Sequence, residues 1–158
     1  MSQGSVVISP LSESDTADYG VLFKYVFSKS PWHETWTIEE IKENLEKVRS
    51  RRGFLGKVAK IESRSVGFLT GYDIPVVSKI FYLDQLFIDE TYHGRGIGKT
   101  LLSTTLETLR LKGGRLVILL TKVDSPAYFF YRHQGFKPLL PMFRLRGKVL
   151  LFFSVYKK

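Results

Sequence analysis

A glycine-rich segment, His93-Gly94-Arg95-Gly96-Ile97-Gly98-Lys99, lies between two segments of different periodicity. The apolar run at 80–88 before it is typical of a buried strand, and the residues from Ile97 onward have the spacing of an amphipathic helix. The first turn of a helix has unsatisfied backbone N–H groups and a partial positive charge. The segment therefore predicts a strand–turn–helix unit whose turn binds a phosphate group.

Two common phosphate-binding motifs do not fit this turn. A Walker loop matches at its end, Lys99-Thr100, but needs a glycine where this chain has His93. A dinucleotide fingerprint needs a third glycine where this chain has Lys99, and it normally lies in an early strand–helix–strand unit. The turn lies past the middle of the chain, which also disfavours that interpretation.

The spacing that fits is Gln/Arg-x-x-Gly-x-Gly/Ala, with His93 in place of the first residue. This is the pyrophosphate loop of the GNAT superfamily of N-acetyltransferases. A second segment, residues 124–136, resembles the Asn-x-x-Ala-x-x-x-Tyr-x-x-x-Gly-Phe element of that family, with Asp124 in place of the asparagine. The two segments have the family's order and usual separation, so residues 79–137 clearly resemble a GNAT domain.

The resemblance implies a single α/β domain over residues 1–158, with a mixed central sheet flanked by helices. The hydrophobic pattern agrees with it and predicts the order β-α-α-β-β-β-α-β-α-β-β. Strands are expected at 6–11, 54–61, 65–72, 80–88, 116–120, 143–146 and 148–156. Helices are expected to begin after Ser14 or Asp15, after a capping box at Thr37 and Glu40, at Ile97 and at Pro126.

Composition narrows the functional classes. The chain contains no cysteine, which excludes disulfides, thiolate metal sites and a cysteine nucleophile. Neither a signal peptide nor a membrane-length apolar stretch is recognised, so a cytoplasmic protein without a membrane span is expected. The net charge of +9 indicates an anionic partner, and coenzyme A would account for part of it. Because the basic residues are scattered, nucleic acid is the less favoured partner.

The resemblance implies that acetyl-CoA is the cofactor. The glycine loop would hold its pyrophosphate, and its pantetheine arm would pair with the strand before the loop, where a backbone N–H near Phe87 or Ile88 would serve as the oxyanion donor. Asp124 stands at a cofactor position, although its role as a helix cap is favoured. The residues expected to contact the coenzyme are Leu86, Phe87, Ile88, His93, Gly94, Arg95, Gly96, Ile97, Gly98, Lys99, Thr100, Asp124 and Tyr131.

Two residues are candidates for proton transfer. Tyr131 occupies the family's tyrosine position, where a phenol can donate a proton to the departing coenzyme sulfur; the alternative is a core aromatic residue. Asp84 lies in the apolar strand, where many family members have a glutamate that acts as the base. Burial would raise its pKa into a useful range, whereas an outward-facing or ion-paired carboxylate is an equal alternative.

The acceptor is expected to be an amine, either on a small molecule or on a protein, that attacks directly in a ternary complex. Trp32, Trp36 and Asp84 are the candidate acceptor-binding residues, with plain packing as the alternative for each tryptophan. The acceptor's identity and the oligomeric state stay open, with a homodimer as one arrangement. Two other functions remain: a non-catalytic acyl-CoA sensor and, less favoured, a basic nucleic-acid-binding module.

Overall fold

The computed structural model describes residues 4–77, 79–114, 116–139, 144–145 and 147–155. Within these ranges the chain forms one eight-stranded sheet and four α-helices. In chain order the elements are β1 (Val6–Pro10), α1 (Thr16–Phe27), α2 (Ile38–Arg49), β2 (Leu55–Ile61), β3 (Arg64–Asp73), β4 (Ile80–Ile88), α3 (Ile97–Leu111), β5 (Leu116–Lys122), α4 (Pro126–His133), β6 (Lys137–Pro138), β7 (Arg144–Leu145) and β8 (Lys148–Ser154).

The predicted α/β class and the order of the main elements are confirmed. The capping box at the start of α2 is present: the Thr37 hydroxyl accepts a hydrogen bond from the backbone N–H of Glu40, and the Glu40 carboxylate accepts one from the backbone N–H of Thr37. The two-residue strand β6 was not expected. In the predicted closing hairpin, β7 and β8 pair on either side of Gly147, whereas Phe143, Arg146 and Tyr156 lie outside the described residues.

The sheet has the strand order β1-β2-β3-β4-β5-β8-β6, and β7 pairs with β8. All neighbouring strands are antiparallel except β4 and β5, which are parallel. This parallel pairing covers three residue pairs, from Ile80 with Leu116 to Tyr82 with Ile118. Beyond Tyr82 the two strands separate, so the C-terminal part of β4 has an unpaired edge inside the sheet.

The helices cover the two faces of the sheet with two separate cores. On one face, α3 and α4 pack on a cluster that includes Phe81, Leu83 and Tyr131. On the other face, α1 and α2 pack on an aromatic cluster whose members include Phe68 and Phe87. The two faces therefore meet at β4, which contributes side chains to both cores.

Candidate active site

A cavity of about 640 Å³ opens where β4 and β5 separate. Its walls are the end of α1 with the loop that follows, the C-terminal part of β4, the glycine loop and α4. Most of the residues expected to bind the coenzyme line this cavity, namely Leu86, Phe87, Ile88, His93, Gly94, Gly96, Ile97, Gly98, Lys99 and Tyr131. Arg95, Thr100 and Asp124 were expected there as well, but they do not line it.

The glycine loop leaves the start of α3 open to a ligand. Gly94 and Gly96 have φ angles of 76° and 75°, which side-chain-bearing residues rarely adopt. A Cβ atom added to either glycine would meet no atom within 4 Å, so the space above the loop is empty. Gly96 is the N-cap of α3 and has no side chain to occupy the first N–H groups of the helix. The loop therefore fits a pyrophosphate group.

The polar side chains of the loop have different roles. The His93 ring donates from Nε2 to the Ile88 carbonyl at 3.1 Å, which ties the loop to the end of β4. The guanidinium carbon of Arg95 lies over the ring of Tyr92, 4.9 Å from the ring centroid. The Thr100 hydroxyl donates to the Gly96 carbonyl at 3.0 Å. Among the described residues Lys99 has no ion-pair partner, so its ammonium can meet a phosphate.

The edge of β4 offers backbone groups to the cavity, while its side chains pack into the cores. Leu86 and Ile88 pack toward the core on the α3 side. Phe87 is 3% exposed and packs among the aromatic rings on the α1 side. Because β5 pairs only with residues before Leu83, backbone groups on this part of β4 are available to a ligand. The pantetheine arm was expected to pair with these backbone groups.

Tyr131 is the buried tyrosine of α4, with an exposed fraction of 6%, and it also lines the cavity. Its ring packs edge-on against Phe130 and Phe136. Within the described ranges its hydroxyl has no hydrogen-bond partner. Burial, with a smaller contribution from Tyr82, raises the pKa of Tyr131. The phenol therefore keeps its proton at neutral pH and can donate it.

Asp84 occupies a β-bulge in β4. Gln85 pairs with Thr70 of β3 and Leu83 pairs with the next residue, Gly71, so no residue of β3 lies opposite Asp84. The bulge changes the alternation of side chains along the strand. Leu83 faces the core on the α3 side, so Asp84 faces the α1 side, where its charge acts on Tyr19.

The carboxylate of Asp84 is poorly compensated. Its Oδ2 atom is buried and has no hydrogen-bond partner in the described part of the chain. Burial raises the pKa of Asp84 to about 6, although the positive charge of Arg51 opposes the rise. Among the described residues no cation forms a salt bridge with this carboxylate. Asp84 does not line the coenzyme cavity. It faces the α1 side of the sheet, whereas Tyr131 packs in the core on the α3 side.

The sequence reasoning missed the groups around Asp84. The charge of Asp84 contributes, after burial, to raised pKa values of Tyr19, Tyr72 and Tyr82; for Tyr82 the value is about 12. Tyr82 could have been found, because it lies two residues before Asp84 on the same strand. Tyr72 and Arg51 could not, because the pairing of β3 with β4 and the path of the loop after α2 bring them here.

The two tryptophans of the loop after α1 differ in position. Trp32 lines the cavity and packs against Phe27, with ring centroids 5.7 Å apart. Trp36 packs edge-on against Phe23 and donates its indole N–H to a Glu34 carboxylate oxygen at 2.7 Å. Trp36 is a packing residue that does not line the cavity, whereas Trp32 can contact a ligand.

Asp124 does not cap α4. The N-cap is Ser125, whose hydroxyl accepts a hydrogen bond from the backbone N–H of Tyr128 at 3.1 Å. Asp124 precedes it with a φ angle of 59°, in the left-handed region that aspartate and asparagine tolerate better than most residues. The favoured capping role of Asp124 is therefore wrong, because the chain turns one residue before the helix begins.

Three hydrogen bonds hold the rim of the cavity. Glu90, just before the glycine loop, accepts hydrogen bonds from Tyr25 and Lys29 of the α1 region, both at 2.5 Å. Lys122 at the end of β5 donates to the carbonyl of Pro31 at 3.1 Å. These contacts tie the loop after α1 to the strands on both sides of the opening.

The described ranges offer neither a membrane-spanning helix nor a metal site. None of their helices has the length and apolar character that a membrane crossing requires. Their histidine and acidic side chains do not gather in a group of three or more that could hold a metal ion.

Comparison with known proteins gives a family match over most of the chain. The family model described as "Acetyltransferase (GNAT) family" matches residues 19–136. An uncharacterized N-acetyltransferase of Methanocaldococcus jannaschii is 28% identical over 120 residues, which are 72% of this chain and 49% of the relative. The chain thus spans about half the length of that relative.

Solved structures have the same fold. An acetyltransferase of the GNAT family from Staphylococcus aureus Mu50 superposes with a TM-score of 0.76 at 18% identity, covering 96% of this chain and 100% of the other. The PaiA N-acetyltransferase from Thermoplasma acidophilum, solved in complex with coenzyme A, gives a TM-score of 0.71 at 21% identity, with coverage of 95% and 99%. At these identities the likeness concerns the fold.

Proposed function

Because the chain belongs to the GNAT family of acetyltransferases, we propose that it transfers the acetyl group of acetyl-CoA to a primary amine by direct attack in a ternary complex. One observation carries the proposal: the gap between β4 and β5 leads from the open glycine loop to the phenol of Tyr131. A phosphate-binding turn, a free strand edge and a proton donor follow one another along one cavity.

The residues of the cavity can hold acetyl-CoA, the acetyl donor, along its whole length. The N–H groups at the start of α3 and the Lys99 ammonium fit its pyrophosphate, and the unpaired edge of β4 fits its amide-containing arm. Acetyl-CoA supplies the acetyl thioester. Backbone N–H groups near Phe87 or Ile88 would hold the carbonyl oxygen as negative charge develops on it.

Two residues would move the protons. An amine with the pKa of a lysine side chain, about 10.4, is almost fully protonated at neutral pH and must lose a proton before it attacks. With a pKa of about 6, Asp84 is mostly a carboxylate at pH 7 and can accept that proton, directly or through a water molecule. On the other side of β4, the Tyr131 phenol would donate its proton to the coenzyme sulfur.

The proposal is tested first by coenzyme binding. In isothermal titration with acetyl-CoA, we expect the wild type to bind and Gly96→Glu to lose at least tenfold in affinity, because the new carboxylate fills the phosphate site. Gly113→Glu is the matched control: Gly113 follows the other end of α3, has a φ angle of 76° and has no atom within 4 Å of an added Cβ.

Turnover is then measured by release of the coenzyme thiol over a panel of amines. The protein has no cysteine, so a thiol reagent reports coenzyme alone. Binding without turnover on any amine would favour an acyl-CoA sensor, and no binding by folded wild type would contradict the proposal. We further propose a cytoplasmic location, where acetyl-CoA is available; fractionation of cells tests it.

A further inference from the structure

We propose that the acceptor carries a carboxylate in addition to its amine, and that Arg51 binds this carboxylate. The inference rests on the proposed function, since it concerns the acceptor of the same reaction. It makes Arg51 a specificity-determining residue and narrows the acceptor to a small amino carboxylate, a molecule with an ammonium group at one end and a carboxylate at the other.

The geometry places Arg51 beside the predicted base. The guanidinium carbon lies 4.7 Å from the centroid of the Tyr72 ring. Tyr72 pairs with Tyr82 across β3 and β4, and their ring centroids are 5.5 Å apart. Asp84 follows two residues after Tyr82 on the same face of β4. These four residues, Arg51, Tyr72, Tyr82 and Asp84, form one continuous surface, which we call the acceptor face.

The residues of the acceptor face do not line the coenzyme cavity, but Tyr82 approaches Tyr131, which does. Tyr82 is close enough to Tyr131 to contribute to the raised pKa of that phenol. Tyr82 is therefore near both Asp84 and the residue that would protonate the coenzyme sulfur. An amine bound at Asp84 would lie next to the end of the cavity where the thioester is expected, with Arg51 on the far side of the Tyr72 ring.

Within the described ranges the Arg51 guanidinium forms no salt bridge. Asp73 is the acidic residue that follows Tyr72 on β3. Its carboxylate lies against Gly53, where Oδ2 would be 2.0 Å from an added Cβ. The Arg51 side chain is exposed, and its guanidinium lies over the Tyr72 ring, a contact that leaves the N–H donors free to bind a carboxylate.

The charges of the acceptor face favour a zwitterion. A simple amine enters as an ammonium ion, which Asp84 attracts and Arg51 repels. An acceptor with a carboxylate at its other end would satisfy both charges, since a guanidinium binds a carboxylate through two parallel hydrogen bonds. An exposed arginine held over a tyrosine beside an uncompensated carboxylate thus fits an amino carboxylate better than a polyamine.

Matched acceptor pairs test the inference. β-Alanine, 4-aminobutyrate and 6-aminohexanoate are each compared with the amine that lacks the carboxyl group: ethylamine, propylamine and pentylamine. With acetyl-CoA and wild type, we expect kcat/KM to be at least tenfold higher for the amino carboxylate in at least one pair. This corresponds to about 1.4 kcal/mol, close to the lower end of the contribution of a hydrogen bond to a charged group, about 1.5–3 kcal/mol.

Variants assign the preference to Arg51. In Arg51→Gln, we expect the preference to fall below threefold through a higher KM for the amino carboxylate, while KM for the plain amine is unchanged or lower. Arg51→Lys should keep part of it, and Arg52→Gln should keep all of it, because Arg52 is an exposed neighbour outside the acceptor face. Acetyl-CoA affinity should be the same in all four proteins.

Two results would overturn the inference while leaving the proposed function intact: a wild type that acetylates the plain amines equally well, or an Arg51→Gln variant that loses activity on both members of a pair alike. If no amine is acetylated, the proposed function fails instead. In that case titration of each pair into the coenzyme A-bound protein still decides whether Arg51 selects the carboxylate. Equal binding, or no binding of either member, counts against it.

Discussion

Gly71 of β3 pairs with Leu83 of β4, and this pairing leaves Asp84 in a bulge with no opposite residue. Gly71 is required there for a steric reason. An added Cβ would lie 2.4 Å from ring atoms of Phe81 and 2.5 Å from the backbone oxygen of Tyr82. The register that leaves Asp84 in the bulge therefore depends on the absence of a side chain on the neighbouring strand.

We predict that Gly71→Ala lowers the free energy of unfolding by about 1–3 kcal/mol, because the strand must shift to make room for the methyl group. Gly67→Ala is the control: its Cβ would meet mainly the end of the flexible Ile88 side chain, so its effect should be smaller. Denaturant unfolding measures both. Equal stability of Gly71→Ala and wild type would mean that β3 does not hold the bulge in place.

Replacing the predicted base separates activity from stability. We expect Asp84→Asn to lower kcat/KM about 10²-fold or more, the usual contribution of a general base. The same change should increase stability at neutral pH, because the wild-type carboxylate is buried without a hydrogen bond for Oδ2. A variant with full activity, measured by thiol release, would remove Asp84 from the mechanism.

The effect of the Asp84 carboxyl on the free energy of unfolding depends on pH in a defined direction. Burial raises the pKa of Asp84 to about 6 in the folded protein, from about 3.9 in an unfolded chain, so the folded state binds the proton more tightly. This contribution is fully present below pH 4 and is lost as the pH rises through 6. Relative to Asp84→Asn, the wild type should lose about 2–3 kcal/mol between pH 4 and pH 7.5. If wild type and Asp84→Asn differed in free energy of unfolding by the same amount at both pH values, this prediction would be contradicted.

Activity should follow the same group in the opposite direction. We expect kcat/KM to rise about tenfold per pH unit up to pH 6 and then level off, since Asp84 must be deprotonated to accept a proton. Arg51 lowers the pKa of Asp84, so Arg51→Gln should move this limb to higher pH. A limb that stays in place in Asp84→Asn would belong to another group.

Tyr131→Phe should affect catalysis without affecting coenzyme binding. The ring would keep its packing between Phe130 and Phe136, but the proton for the sulfur would be lost. We expect kcat to fall about 10²-fold while acetyl-CoA affinity stays within threefold. Tyr128→Phe is the control on the same helix, because Tyr128 does not line the cavity. Equal kcat for both variants would make Tyr131 a packing residue.

Much of the fold could be predicted from the sequence because its signals are local. The sequence predicts several features from a few neighbouring residues each. They are the glycines at 94 and 96, the periodicity of α3 and the capping box of α2. The same holds for Tyr131, whose position follows from the motif that contains it. These features are the ones that place the coenzyme cavity.

The acceptor face could not be predicted in the same way. Arg51 follows α2, Tyr72 ends β3 and Asp84 lies in β4, so they meet only through the register of the sheet. The bulge at Asp84 also changes which face each β4 residue occupies, and a regular alternation would assign Asp84 and Phe87 to opposite faces. Asp124 was misjudged for a smaller reason: both it and Ser125 are good caps, and backbone geometry chose the serine.

The unpaired edge of β4 lies in the interior of the sheet rather than at its rim. Outer edges of sheets invite strands of other proteins, and chains protect them with charges or short strands. Here the walls of the gap between β4 and β5 restrict access to the edge. Trp32 and Phe27 line one side of the gap, and Ala127 and Phe130 line the other. We expect these walls to leave room for a thin, linear arm with amide groups, but not for a peptide strand with side chains on both faces. The width of the gap would thus exclude bulkier ligands before any side chain contacts them.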